Sequence, residues 1–298
     1  MWRTGEAGLG HGFALSTLDY LLGNAVGQNE QARAAWLLDR GADPNALHAY
    51  TRQPLHALAQ RSGFIAIQHL LEERGATRVV LTGVDAFHAA CRRHDEATVR
   101  ELAAADPALP RLPDVLLATC MFGDVASVDL LLGLGADVHA VDEDGISALH
   151  RAVQSGSLPL VDRLLSAGAD PNVRDRKWQG TALSWAIALG RPNVFARLIP
   201  VSRDPRALAR LGALNRLGVL LDEEPALANH RLADDQSPTP LYCLPDDEER
   251  AVTTAQLLLD RGADRKVRNA QGQTPAAAAR ARGLDDAADV LQGKHDAG

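Results

Sequence analysis

The sequence predicts an all-α fold built from repeated pairs of short helices, and three features of the chain support this prediction. A polar-to-apolar helix opening recurs along nearly the whole length, with a period of roughly 33 residues. A Gly-Ala or Gly-Ala-Asp stop follows most openings after about twenty residues. Between these signals, apolar residues recur at helical spacing. A fixed period of this length indicates stacked units, because each unit needs its neighbours to bury its apolar face.

The unit over residues 145–175 shows the pattern most clearly. Ser147 can cap a first helix by accepting a backbone N–H. A second helix carries an apolar stripe made of Leu158, Val161, Leu164 and Leu165. Gly168 can then adopt the left-handed conformation that ends a helix. We therefore predict a unit of helix, turn, helix and finger, where the finger is the extended turn that leads to the next unit.

Nine such units are expected along the chain. Their first helices open near Tyr20, Gln53, Asp85, Asp114, Ser147, Thr181, Arg203, Thr239 and Thr274. The stops lie at Gly41-Ala42-Asp43, Gly75-Ala76, Gly135-Ala136-Asp137, Gly168-Ala169-Asp170 and Gly262-Ala263-Asp264. Two fingers are shortened, one at residues 106–110 and one at 199–205. Because a finger supplies contacts between neighbouring units, we predict a seam at residues 199–205 that opens before the rest.

These motifs resemble the ankyrin repeat, whose signature combines Thr-Pro-Leu-His, a central glycine and Gly-Ala-Asp. Parts of it stand at Gln53-Pro54-Leu55-His56, Ser147-Ala148-Leu149-His150, Thr181-Ala182-Leu183, Thr239-Pro240-Leu241 and Thr274-Pro275. The resemblance implies an ankyrin-repeat solenoid of about nine helix-turn-helix repeats, with short β-hairpin finger loops and degenerate capping repeats at both ends. We expect a flexible lead over residues 1–13, one array over 14–293 and a tail over 294–298.

The composition excludes some classes of partner. The net charge of −7 argues against nucleic acid and anionic membranes, because both need a cationic surface. We expect a cytoplasmic protein that is a monomer when free. Cys91, Cys120 and Cys243 are expected to be reduced core thiols. Few lysines among many arginines and alanines favour a bacterial origin.

Motifs for catalysis are missing from the sequence, which shows no nucleophile elbow, phosphate loop or zinc-binding pair. The spacing of His88, Cys91 and His94 turns the outer two side chains about 120° apart on a helix, so they do not favour a shared metal ion. His56, His88 and His150 occupy the position of the ankyrin signature histidine, which implies hydrogen bonds to neighbouring turns. We predict no enzyme activity, no cofactor and no metal.

A partner is expected on the face formed by fingers and first helices, since the resemblance implies binding there. The predicted contact residues are Tyr50, Arg52, Arg92, Arg93, Met121, Phe122, Arg176, Lys177 and Trp178. Met121 and Phe122 are apolar side chains at positions that usually face solvent, as in the apolar centre of an interface. The acidic run Asp142-Glu143-Asp144 is expected to extend this face.

Two interpretations of Trp178 stay open: it contacts a partner, or it folds back onto Trp185. Trp36 and Trp185 are predicted in the core. We predict a non-catalytic scaffold that binds another protein. The alternatives are a dedicated regulator or inhibitor of one enzyme, and a secreted bacterial effector that engages host proteins.

Overall fold

The computed structural model describes residues 7–9, 13–232 and 238–294. These residues form 17 α-helices, so the predicted all-α class is confirmed. Two short antiparallel strands, β1 Ala7–Leu9 and β2 Phe13–Leu15, precede the first helix. The predicted flexible lead falls partly on residues 1–6 and 10–12, outside the described residues, as does most of the predicted tail. Both stay predictions.

The contacts of the chain divide it into two compact units. The first unit runs to Thr119 and also includes Ala126–Asp137. The second unit contains Cys120–Val125 and continues from Val138. Residues 199–205, where the sequence predicts a seam, lie inside the second unit.

The first unit consists of short helices that pack as consecutive pairs. They are α1 Thr17–Gly27, α2 Gln31–Leu38, α3 Leu55–Arg61, α4 Ile65–Glu73, α5 Gly83–Arg92, α6 Glu96–Ala105, α7 Pro113–Met121 and α8 Val125–Gly133. Helix α1 packs against α2 and α3, α3 against α4 and α5, and α5 against α6. A 3₁₀ turn at Leu109–Arg111 takes the place of the finger between α6 and α7. The shortened finger expected at 106–110 is thus confirmed.

The second unit repeats this arrangement. Its helices are α9 Ala148–Ser155, α10 Leu158–Ser166, α11 Ala182–Ala188, α12 Pro192–Leu198, α13 Pro205–Arg210, α14 Leu214–Glu223, α15 Glu248–Asp260, α16 Pro275–Ala281 and α17 Asp285–Gln292. Helix α9 packs against α10 and α11, α11 against α12 and α13, and α13 against α14. Three 3₁₀ turns, Ile199–Val201, Pro225–Asn229 and Pro240–Tyr242, lie between these helices.

The eighth repeat departs from the predicted helical pair. Its first helix is reduced to the 3₁₀ turn Pro240–Tyr242, and the next helix begins only at Glu248. Pro245 accounts for the difference, since proline disfavours helical geometry in the residue before it and has no N–H to donate. The acidic run that follows begins helix α15, where the Asp247 side chain accepts a hydrogen bond from Arg250 N at 2.9 Å.

The glycine stops end helices as predicted. Gly168 has a φ of 91°, and the glycines at 41, 75, 135 and 262 have φ between 84° and 92°. Only glycine adopts this backbone region without a steric penalty. Each stop therefore turns the chain out of its second helix and into a finger.

An asparagine in three of the repeats joins its finger to the next repeat. Thr77 N donates to Asn45 Oδ1 at 2.8 Å, Arg203 N donates to Asn172 Oδ1 at 2.6 Å, and Asp264 N donates to Asn229 Oδ1 at 2.7 Å. The bond at Arg203 joins the shortened finger at residues 199–205 to the finger of the fifth repeat. The shortened finger therefore keeps hydrogen bonds to its neighbours, although the seam was expected because such bonds would be missing. That this junction opens before the rest of the chain stays a prediction.

Buried Asp204 supplies further bonds at this junction. Its side chain caps α13 by accepting from Arg206 N at 3.2 Å and Ala207 N at 3.3 Å. Its Oδ2 also accepts from Thr181 Oγ1 at 3.0 Å and Ser184 Oγ at 2.9 Å. One buried carboxylate thus accepts four hydrogen bonds at the shortened finger.

The core consists mainly of leucine, alanine and valine, including fully buried Leu37, Leu71, Leu149 and Leu164. The prediction that Trp36 is a core residue is wrong. Its side chain is 51% exposed and lies under the guanidinium of Arg40, whose Cζ is 3.7 Å from the ring centroid. Leu37 and Leu38 are the residues of α2 that face inward, so the apolar stripe is rotated by one position from the predicted one.

Candidate functional site

The finger at residues 174–180 is closed around one buried carboxylate. Only 1% of the Asp175 surface is exposed. Its Oδ1 accepts a hydrogen bond from Trp178 N at 2.6 Å, and its Oδ2 accepts one from Gly180 N at 2.9 Å. The backbone N of Asp175 donates to Gly180 O at 3.1 Å. These bonds give the tip of the finger a fixed shape.

Trp185, on helix α11, connects this finger to the next repeat. Its Nε1 donates to Asp175 Oδ2 at 2.9 Å. Burial alone would raise the pKa of Asp175, but the hydrogen bonds from Trp178, Trp185 and Gly180 outweigh burial and lower that pKa. The carboxyl group therefore stays ionised, and its bonds are stronger than neutral ones.

Trp178 folds back onto Trp185, as one of its two interpretations predicts; its contact with a partner stays a prediction. Its ring packs edge-on against Trp185, with centroids 5.7 Å apart and planes at 70°. The residue is still 61% exposed. Lys177 Nζ lies 4.7 Å from the centroid of the Trp178 ring, within the range of a cation–π interaction. The indole is thus fixed in position and open to solvent. Trp185, predicted in the core, is half-buried.

Arg176 contacts the preceding finger. Its N donates to Asp144 O at 2.7 Å, and its Nη1 donates to Glu143 O at 2.8 Å. Asp142, which the sequence places on the contact face, instead closes its own finger by accepting from Ile146 N at 2.9 Å and Arg151 Nη2 at 2.9 Å. Arg176 remains exposed and lies beside Lys177 and Trp178 at the finger tip.

Met121 and Phe122 lie where α7 ends. They are 37% and 49% exposed. The following turn is joined to the fifth repeat, because Ser157 Oγ donates to Gly123 O at 3.3 Å. A Cβ at Gly123 would lie 3.0 Å from the Cβ of Ser157, so this turn requires glycine. The apolar pair therefore protrudes from a fixed turn in the second unit.

Four of the predicted contact residues belong to the first unit. Tyr50 is 69% exposed on the first finger, where its hydroxyl lies 3.1 Å from that of Tyr20. Arg52, also exposed, follows it with a φ of 57°. Arg92 and Arg93 end helix α5 and are half-buried, although the sequence predicts them at solvent-facing positions. Arg92 packs closely on the turn of the second repeat: a Cβ at Gly63 would lie 3.1 Å from Arg92 Cβ.

A groove of about 710 Å³ lies beside the finger in the second unit. Trp178 of the finger and Trp185 of α11 line this groove, as does Leu189, which directly follows α11. Helix α13 contributes Arg206 and Arg210, and the 3₁₀ turn of the eighth repeat contributes Tyr242. This volume is typical of sites that bind ligands or a few side chains of a partner.

The charged groups that line the groove are arginines. They are Arg174, Arg206 and Arg210, and the lining contains no carboxylate among the described residues. Arg174 lies 3.5 Å from buried Asp204, and Arg210 lies 2.9 Å from exposed Asp246. Nearby His230 has a lowered pKa, because burial and then the charge of Arg174 disfavour its protonated form. The groove is therefore cationic within an acidic protein.

Sequence reasoning missed this groove, although two signals for it exist. Arg206 and Arg210 are four residues apart, so they share one face of α13. The prolines at 240 and 245 shorten the first helix of the eighth repeat. No repeat signature indicates that the two features adjoin.

The signature histidines join neighbouring turns where hydrogen bonds are described. His150 Nδ1 lies 2.9 Å from Ser147 Oγ, and its Nε2 lies 3.0 Å from Gly180 O. Val79 N donates to His56 Nδ1 at 3.2 Å. These contacts confirm a structural role for both residues.

Within residues 7–9, 13–232 and 238–294, no group of three histidine, cysteine or carboxylate side chains is arranged to hold a metal ion. Over the same part of the chain, no helix combines the length and the apolar character needed to cross a membrane.

Residues 116–209 match the family described as ankyrin repeats, with three copies. The chain is 27% identical over 199 residues to the ankyrin repeat and KH domain-containing protein mask-1 of Caenorhabditis elegans, covering 62% of this chain but 8% of that protein. It is 28% identical over 196 residues to the putative ankyrin repeat protein YahD of Escherichia coli K12, covering 61% of this chain and 96% of YahD. The chain thus spans a small part of one relative and nearly all of the other.

Among solved structures, the chain is similar to one chain of the Bd0816 predatory endopeptidase of Bdellovibrio bacteriovorus in complex with immunity protein Bd3460. The identity is 25%, the TM-score is 0.44, and the match covers 60% of this chain and 97% of that chain.

Proposed function

From the premise that this chain is an ankyrin repeat protein, we propose that it binds another protein and catalyses no reaction. Ankyrin repeats generally mediate protein binding. The proposed contact surface in the second unit consists of Met121, Phe122, Arg176, Lys177 and Trp178. Regulation of one enzyme and engagement of host proteins by a bacterial effector are special cases of this role.

The observation that carries the proposal is the state of Trp178. Asp175 and Trp185 fix its position, yet 61% of its surface is exposed. A fixed aromatic side chain loses little conformational entropy when a partner covers it. Tryptophan and arginine also dominate measured binding energies. An exposed indole with adjacent cations is therefore suited to anchor a partner.

The remaining predicted residues extend this proposal. Met121 and Phe122 supply an exposed apolar pair, while Arg176 and Lys177 supply a polar rim. In the first unit, Tyr50, Arg52, Arg92 and Arg93 are proposed as further contacts. The three cysteines form no disulfide bond in the described structure, which supports a reducing compartment, and we propose a cytoplasmic location.

Site-specific photo-crosslinking in the native cell tests this proposal. A benzoylphenylalanine residue is introduced at position 178 or, as the control, at position 219. Val219 is 49% exposed on the second helix of the seventh repeat, on a side that the proposal does not use. We expect one dominant crosslinked protein at position 178 and none at position 219. Equal crosslinking at both positions, or none at 178, contradicts the proposed surface.

A further inference from the structure

The groove beside Trp178 allows a statement about the chemistry of the partner. We propose that it binds an acidic segment of the partner protein, with one apolar side chain of that segment inserted between α11 and α13. This inference rests on the proposed function, because Trp178 borders both the finger tip and the groove.

The apolar side chain has a suitable place in the groove. Trp185 and Ile187 of helix α11 line it together with Leu189, which directly follows α11 and is 45% exposed. Tyr242 lines the opposite end, where its hydroxyl donates towards Val267 O at 2.6 Å. The tyrosine ring is therefore fixed while its apolar surface borders the groove. Burying an aliphatic or aromatic side chain against these groups is favourable.

The charges of the groove select an acidic segment. Its lining contains three arginines and, among the described residues, no carboxylate. The whole chain has a net charge of −7, whereas every charged side chain in the groove lining is an arginine. A carboxylate entering the groove is attracted, whereas a basic segment is repelled.

One donor of Arg206, its Nε, lacks a partner. Its Nε is buried and has no hydrogen-bond partner among the described residues. An unpaired buried donor is costly, and a carboxylate oxygen is the strongest acceptor that a partner protein offers. Arg210 lies one helical turn further along α13, and its bond to Asp246 is a surface pair that exchanges at little cost. A carboxylate therefore fits between these two side chains.

Arginines and aromatic rings also bind nucleic acids, which are the alternative polyanionic ligands. The described geometry does not favour a nucleic acid in this groove. Trp185 is half-buried and already packs in T-shaped contacts against His150 and Trp178, so little of its ring is available for stacked bases. Single-stranded DNA is therefore included in the test as a competitor.

A random-peptide phage library panned on the full chain tests the inference. We expect enriched peptides to contain aspartate or glutamate next to an aliphatic or aromatic residue. Their synthetic, fluorescently labelled forms are then measured by anisotropy. Arg206→Gln should weaken their binding about tenfold or more, whereas Arg197→Gln should not. Arg197 is the matched control, because it is an exposed arginine of α12 paired with Asp162 outside the groove.

A second pair of variants separates charge from folding. Leu189 is exposed, so either charged side chain is tolerated there. Leu189→Glu should weaken binding of the acidic peptides about tenfold or more, because like charges then meet in the groove. Leu189→Lys should leave it unchanged or strengthen it. Equal losses for both substitutions overturn the inference.

Other results also overturn it: no enriched peptide, enrichment of neutral or basic peptides, binding that is insensitive to Arg206→Gln, or displacement by oligothymidylate at equal concentration. The proposed function fails in a different way. If acidic peptides bind and the variants weaken their binding as expected, but crosslinking at position 178 captures no partner, the proposed finger surface is wrong and the groove inference stands. If crosslinking at position 178 captures a partner but the peptides do not show the expected binding, the groove inference alone is wrong.

Discussion

The indole Nε1 of Trp185 donates a hydrogen bond of 2.9 Å to Oδ2 of Asp175, and this bond joins a helix of one repeat to the finger of the preceding repeat. The same carboxylate binds the backbone of Trp178 through its other oxygen. The position of the exposed indole therefore depends on an aspartate that is itself inaccessible to a partner. We therefore expect partner binding and local stability to be coupled at this residue.

Asp175→Asn tests that coupling. We expect a loss of about 1–3 kcal/mol in the free energy of unfolding, because the amide cannot accept all of the bonds that the carboxylate accepts. Affinity for the partner should fall as well, since Trp178 is no longer fixed. Chemical denaturation measures the first effect. Asp144→Asn, on the exposed preceding finger, is the control for stability and should have the unfolding free energy of the wild type. An unchanged unfolding free energy for Asp175→Asn would show that the finger is fixed by other contacts.

The pH dependence of stability should include a contribution from Glu72. A hydrogen bond from His56, followed by those from Gln68 and Arg78, lowers the pKa of Glu72 from 4.5 to about 2. Since the folded pKa is depressed, this contribution is complete above pH 4.5 and is lost as the pH falls towards about 2. Wild type should therefore lose more stability than Glu72→Gln between pH 5 and pH 3. Parallel curves for the two proteins over this range would contradict the assignment.

Asp204 should be important for stability at the shortened finger. Its replacement by alanine leaves Arg174 without its carboxylate neighbour and removes the cap of α13, so we expect a cost of about 3 kcal/mol. Asp170→Ala serves as the control, because that exposed aspartate bonds only locally to Asn172 N in the described structure.

Hydrogen exchange locates where this region opens. In the wild type we predict faster amide exchange at residues 200–206 than in the fingers of the fourth and fifth repeats. Asp204→Ala should accelerate exchange at 200–206 and leave residues 145–165 unchanged. Uniform amide protection across this junction in the wild type would contradict the predicted seam.

The three cysteines provide a test of the packing. Alkylation in denaturant without reductant should label all three, because none of them forms a disulfide bond in the described structure. In the native protein Cys120 should react most slowly, since it is fully buried and burial raises its pKa to about 12. Mass spectrometry counts the labels. Fewer than three in denaturant, or rapid native labelling at Cys120, would contradict the described core.

Much of the fold was predictable because its signals are local. The opening at Ser147 and the left-handed glycine at Gly168 each determine a helix end from a few neighbouring residues. Trp36 was predicted in the core because an apolar stripe shifted by one position still fits helical periodicity. In the structure the cation–π contact with Arg40 stabilises the exposed position of the indole. The eighth repeat was predicted with a full first helix, although Pro245 prevents one.

The candidate site was predictable only in part. The exposure of Trp178, Met121 and Phe122 followed from their places in the repeat. The groove did not, because it needs Trp178, Arg206 and Tyr242 from three different repeats to adjoin. Half-buried Arg92 differs from its predicted exposure since Gly63 lets the neighbouring turn approach its side chain.

The affinity of the purified partner for Trp178→Ala tests the central claim most directly. Isothermal titration compares this variant with the wild type and with Val219→Ala, an exposed apolar residue outside the proposed surface. We predict that Trp178→Ala raises the Kd about thirtyfold, equivalent to about 2 kcal/mol, while Val219→Ala leaves it unchanged. Unchanged affinity of Trp178→Ala, with helicity and melting temperature equal to those of the wild type, would contradict the claim that this finger binds the partner.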